Sequence, residues 1–121
     1  MYVMIVAWDL SRSAQTVEGL RSYLRDYAVE AFSEVPGMAL KVWFSNAKRQ
    51  IWGGVYLWES AELMPLTKPA APSRSTELIG YEPTSVSVFE VEAVSAQGDA
   101  WRAFADIGLA MHDADGEDER S

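Results

Sequence analysis

Cysteine is absent from this sequence, which excludes disulfides, thiolate metal sites and thiol nucleophiles. Histidine occurs once, as His112, so no imidazole cluster can form within one chain, and a metal centre is not expected. Basic charge is scarce as well. Ten Lys and Arg stand against 18 Asp and Glu, and the net charge of -8 opposes binding to nucleic acid and to anionic membranes. No apolar run approaches the roughly 20 residues of a membrane span. No basic segment precedes the first apolar stretch, so the expected location is the cytoplasm. No glycine-rich loop opens a helix after that stretch, which removes the dinucleotide and phosphate-loop signatures.

Apolar and aromatic residues are plentiful. They make up 49% and 12% of 121 residues, enough for one well-filled core and therefore one domain. The most informative stretch is Met38 to Glu59. Leu40, Val42 and Phe44 alternate with Lys41, Trp43 and Ser45, and Val55 and Leu57 alternate with Trp52, Gly54, Tyr56 and Trp58. Asn46 to Gln50 is polar and supplies the turn of a hairpin. Because side chains of a strand point alternately to opposite faces, this hairpin has one aliphatic face and one aromatic face. The expectation is that the aliphatic face carries helices. The aromatic face then reads as core, as a dimer interface or as a ligand site, with Gly53 and Gly54 leaving space beside the rings.

Tyr2 to Leu10 reads as a central strand, apolar on both faces. Ser11 or Ser13 can cap the helix that follows, whose apolar positions Val17, Leu20, Leu24, Ala28 and Ala31 recur at helical spacing. Pro36 and Gly37 end it. After the hairpin, Ala61 to Met64 suggests a short helix, Pro65, Pro69 and Pro72 a stiff loop over 67–75, and Arg74 to Ile79 a helical turn closed by Gly80. Thr84 to Glu92 reads as the last strand. The order β-α-β-β-α-β is that of an α+β, ferredoxin-like fold with an antiparallel sheet. Residues 1–92 form this domain. Residues 93–111 are an extension with an expected helix bearing Trp101, Phe104, Ala105 and Gly108, and 112–121 an acidic, disordered tail.

Pro36, Gly37, Lys41, Val42, Trp43, Gly53, Gly54, Val55, Tyr56 and Leu57, with Val88 to Val91, resemble the pattern of the YdhR-like monooxygenases. These belong to the dimeric α/β-barrel superfamily that includes the antibiotic-biosynthesis monooxygenases. The resemblance implies two ferredoxin-like subunits packed sheet to sheet. It also implies a pocket between each sheet and its helices or partner, and oxygenation of an aromatic or polyketide-like small molecule of secondary metabolism. Trp58, Glu59 and Ser60 resemble the end of the corresponding strand in quinol-oxidising members. Those enzymes pair the tryptophan with an asparagine four residues earlier, where this chain has Gly54. Haem-degrading relatives use a helix histidine that has no counterpart here.

The candidates for acid and base work are Asp9, Lys41, Tyr56 and Glu90. Glu90 reads as a solvated strand residue, and Asp9 reads equally well as a helix-start cap. Lys41 shares the aromatic face with Trp43, where desolvation would lower its pKa. Catalytic roles therefore fall to Lys41, Tyr56 and Asp9, and substrate contacts to Trp43, Trp52, Gly54, Trp58 and Asn46. The expected activity needs no cofactor, because an electron-rich substrate deprotonated in a dry pocket can itself reduce oxygen. A cyclase or isomerase of the same fold, or a binding protein without catalysis, fits the same residues.

Overall fold

The computed structural model describes residues 1–64, 73–98 and 107–111. Four strands, β1 (Tyr2–Asp9), β2 (Met38–Asn46), β3 (Ile51–Trp58) and β4 (Ser85–Glu90), form an antiparallel sheet in the order β2-β3-β1-β4. This is the ferredoxin-like arrangement. The centre of the sheet is the pairing of β1 with β3, which sets Trp8 opposite Trp52 and Met4 opposite Tyr56.

One helical segment covers the sheet. It begins as α1 (Val17–Tyr23), passes through a π-helical turn over Leu24–Ala28 and ends as α2 (Val29–Phe32). Its N-cap is Thr16, whose hydroxyl accepts from the Gly19 amide, and not Ser11 or Ser13. Residues 10–12 form a separate 3-10 turn capped by Asp9, and Ser13 is engaged in donating to the Ile79 carbonyl. Val17, Leu20, Leu24, Ala28 and Phe32 are buried. The π turn, with its i+5 bond from the Val29 amide to the Leu24 carbonyl, delays the apolar face by about one residue. Phe32 therefore reaches the core, and Ala31 is only half-buried.

The helix lies on the aromatic face. Trp52, Tyr56 and Trp58 are buried beneath it together with Met4, Val6 and Trp8 from β1. The expectation that the aliphatic face carries the helices is thereby overturned. That face, with Leu40, Val42, Val55 and Leu57, lies on the far side, where Val42 is 49% exposed. Size explains the outcome: three large ring systems fill the space between the sheet and this helical segment, and each buries more apolar area than Val or Leu.

Local polar contacts fix the ends. Gln50, with a positive φ of 53°, closes the hairpin turn. Its side chain accepts from the Val17 amide at 2.9 Å and so anchors the start of α1 to the sheet. After the 3-10 turn Ala61–Leu63, the short helix α3 (Ser75–Ile79) ends at Gly80, whose φ of 103° suits a residue without Cβ. Tyr81 then ties β1 to this corner: its hydroxyl donates to the Asp9 carbonyl and its own carbonyl accepts from the Trp8 indole at 3.0 Å. The expected loop over 67–75 is described only from residue 73; of the C-terminal helix expected over 99–111, positions 99–106 lie outside the described residues, as does the acidic tail at 112–121, and Gly108 has a non-helical φ of 130°. Leu109–Met111 forms a 3-10 turn whose Ala110 is buried.

Gly53 is set by close packing on the aliphatic face. A methyl group there would collide with the Val6 carbonyl oxygen and stand 2.6 Å from the Phe44 ring. Gly53→Ala is expected to destabilise the fold by about 1 to 3 kcal/mol through overpacking, read as a lower urea midpoint at unchanged slope.

Candidate functional site

The hairpin brings Lys41 opposite Tyr56 and Trp43 opposite Gly54, all on the helix side of the sheet. Gly54 has no side chain, so the Lys41 stem lies across it; a Cβ at Gly54 would stand 3.1 Å from Lys41 Cε. The space beside Gly54 is thus taken by the chain's own lysine and not left for a ligand. Lys41 Nζ donates to the Tyr56 hydroxyl at 2.7 Å. It also sits 3.7 Å from the centre of the Phe32 ring, 4.1 Å from that of Tyr56 and 4.5 Å from that of Trp43. The rings support one another, Phe32 meeting Trp43 edge-on at 5.6 Å and Tyr56 stacking on Trp58 at 5.8 Å.

Electrostatics follow from this enclosure. Burial lowers the Lys41 pKa from 10.5 to about 6, since an ammonium ion loses its hydration there. Three ring faces attract a cation and offset part of that loss. No carboxylate forms an ion pair with Lys41 among the described residues, so desolvation prevails and the amine is neutral near pH 7. The Tyr56 phenol moves the other way, pushed up by burial and secondarily by Tyr23. It therefore keeps its proton. A neutral amine and a protonated phenol held 2.7 Å apart form a proton-relay pair.

A cavity of about 950 Å³ opens along β2, the edge strand. Its walls come from Arg21, Leu24, Val29 and Phe32 of the helix, from Lys41, Trp43 and Trp52 of the sheet, and from 107–111. The Arg25 guanidinium donates to the Ala110 carbonyl at 3.4 Å, holding that last wall against the helix.

The sequence-based candidates divide cleanly. Lys41, Trp43 and Trp52 line the cavity, and Tyr56 and Gly54 lie against Lys41 without lining it. Trp58 stands behind Tyr56, 1% exposed, and does not line this cavity; its indole N–H is buried without a hydrogen-bond partner among the described residues. Asp9 lies elsewhere. Five residues beyond Met4, the partner of Tyr56, it is about 16 Å along β1 at the usual strand rise. It is exposed and caps the turn at Ser11, a bond that lowers its pKa. Asn46 is exposed at the hairpin turn, its side chain accepting from the Arg49 amide at 3.1 Å. Phe32 was not among the candidates, although the spacing Leu20, Leu24, Ala28 continues to it at four residues. Among the described residues no three His, Cys, Asp or Glu side chains converge as metal ligands.

The depressed lysine pKa makes stability depend on pH. Below pH 6 both folded and unfolded chains carry the charge, and the fold bears the cost of burying it. Between about 6 and 10.5 the unfolded chain binds the extra proton, so this contribution to stability rises with pH. Lys41→Met removes the titration. Its stability advantage over the wild type is expected to shrink as pH rises from 6 to 10, measured by urea melts of both proteins.

No curated protein matches the chain. The family described as "Putative mono-oxygenase ydhR" matches residues 5–99, which include β2, β3, β4, the larger part of β1, the covering helix and the Lys41–Tyr56 pair. Since this is well over half of the sequence, the chain belongs to that family.

Proposed function

We propose that this protein is a cofactor-independent mono-oxygenase of the cytoplasm, acting as a homodimer on a flat phenolic aromatic or polyketide-like compound of secondary metabolism. The observation that carries this reading is the enclosed Lys41 amine, hydrogen-bonded to Tyr56 inside a box of aromatic rings. Lys41 accepts the phenolic proton of the substrate. The resulting ammonium pairs with the phenolate in surroundings where water screens little, which makes the pair stronger than in solution. A phenolate so held is electron-rich enough to reduce dioxygen itself. For a substrate methylene oxidised to a carbonyl, one oxygen atom enters the product and the other leaves as water, and the substrate supplies all four electrons. Trp43 and Trp52 offer ring faces for stacking on the cavity wall.

The dimer rests on the uncovered aliphatic face. Val42 is 49% and Phe89 56% exposed, and Leu40, Val55 and Leu57 continue the same face. An apolar sheet face of this extent calls for a partner. Trp52 and Tyr56, expected at such an interface, are instead buried within their own chain.

Two measurements test the proposal. Oxygen uptake with anthrone- or quinol-type substrates is expected in the wild type and to fall by about 100-fold or more in Lys41→Met, the loss of a general base. Turnover without oxygen consumption would instead support a cyclase or isomerase using the same base, and saturable binding without turnover a binding protein. Light scattering is expected to give twice the 13.4 kDa chain mass, reverting to one chain in Val42→Asp; a monodisperse wild-type monomer would remove the dimer.

A further inference from the structure

The Lys41 amine is suited to a second kind of chemistry, which proton abstraction does not require. We propose that Lys41 is also a carbonyl-capturing residue, forming a reversible imine with an aromatic aldehyde or ketone that enters the cavity along β2. Imine formation needs four things at one place: an amine with a free lone pair, a hydrocarbon-lined space for the carbonyl compound, an acid to expel the hydroxyl, and protection from bulk water. Each has a residue here.

Lys41 lines the cavity, and its Nζ lies within 3.7 to 4.5 Å of three ring centres. Those rings remove the water that would otherwise hold the amine as ammonium. Leu24, Val29, Phe32, Trp43 and Trp52 supply an apolar wall matched to an aromatic carbonyl compound. The Tyr56 hydroxyl does not line the cavity but lies behind Lys41, 2.7 Å from Nζ, close enough to pass a proton to a group formed on that nitrogen, and it keeps its proton. Lys48, by contrast, is exposed at the hairpin turn and has none of these surroundings.

The step balances without an oxidant or reductant. The Lys41 lone pair attacks the carbonyl carbon, and the amine proton passes to the carbonyl oxygen to give the carbinolamine. Tyr56 protonates the hydroxyl as it leaves as water. Loss of the second amine proton to the tyrosinate gives the neutral imine and restores Tyr56. The sum is amine plus carbonyl to imine plus water.

Reductive trapping is the test. The full chain is incubated under nitrogen at pH 7 with 2-naphthaldehyde and sodium cyanoborohydride, and the adducts at Lys41, Lys48, Lys68 and the amino terminus are followed by peptide mass mapping. Lys41 is expected to be modified at least about tenfold faster than Lys48 in the folded chain and at the same rate in urea. Tyr56→Phe is expected to slow trapping at Lys41 by about tenfold or more, with its melt showing that it remains folded. Lys41→Met should leave only the slow sites. Equal rates at Lys41 and Lys48 in the folded chain would overturn the proposal, and an unchanged rate in folded Tyr56→Phe would overturn the role of the hydroxyl. The assay uses no oxygen and no turnover, so its failure would leave the oxygenase reading standing, and failure of oxygen uptake would leave this one.

Discussion

The packing of one helix against the ring-bearing face of β3 is the contact on which the rest of this structure depends. Trp52, Tyr56 and Trp58 occupy alternate positions of that strand and are all buried, as are Val17, Leu20, Leu24, Ala28 and Phe32 of the helix opposite. Fully burying a large apolar side chain is worth about 1.5 to 3 kcal/mol, so a cluster of this kind outweighs any single polar contact in the domain. It also determines the chemistry. Lys41 shares the face of these rings by strand parity, and once the helix closes over them the lysine is enclosed too. Its lowered pKa is a consequence of where the core formed.

Period-two alternation was enough to locate β2, β3 and β4, the hairpin and the set of hairpin residues that share the helix side, while β1 was marked by an apolar run on both faces. Lys41, Trp43, Trp52, Gly54 and Tyr56 were legible together because parity is a property of the backbone alone. Parity does not say which face a helix will cover. Both faces here are apolar, and choosing the aliphatic one for the helices left the rings open to core, interface or ligand readings, of which the core holds Trp52, Tyr56 and Trp58. Only the volume available beneath the helix decides between them, and that is a tertiary quantity.

The remaining misreadings share a different cause. Asp9 and Asn46 were singled out as polar residues near the ends of strands, yet each satisfies a nearby backbone amide, at Ser11 and Arg49 respectively. Asp, Asn, Ser and Thr at element ends more often hold turns than act on ligands. Phe32 was missed for the opposite reason. A helical count through Ala28 reaches Ala31 as readily as Phe32, and the π turn that favours Phe32 has no plain signal in the sequence. The extension to 111 was legible as a segment beyond the sheet, but its end at 107–111 is a 3-10 turn in the cavity wall and not part of the helix expected to carry Gly108.

Gly53 and Gly54 show how two functions can share one strand. They are neighbours in β3, and so they serve opposite faces of the sheet. Gly53 admits the Phe44 ring on the aliphatic side, where side chains lie open, and Gly54 admits the Lys41 stem on the helix side, where the cavity lies. In both cases the absent side chain lets a cross-strand residue of β2 lie flat against the backbone. A side chain at Gly54 would crowd the Lys41 stem and displace the amine from Tyr56 and the rings. One at Gly53 would instead lift Phe44 and roughen the face available for assembly. The pair thus sets the position of the reactive amine and the shape of the opposite surface independently, within two consecutive residues.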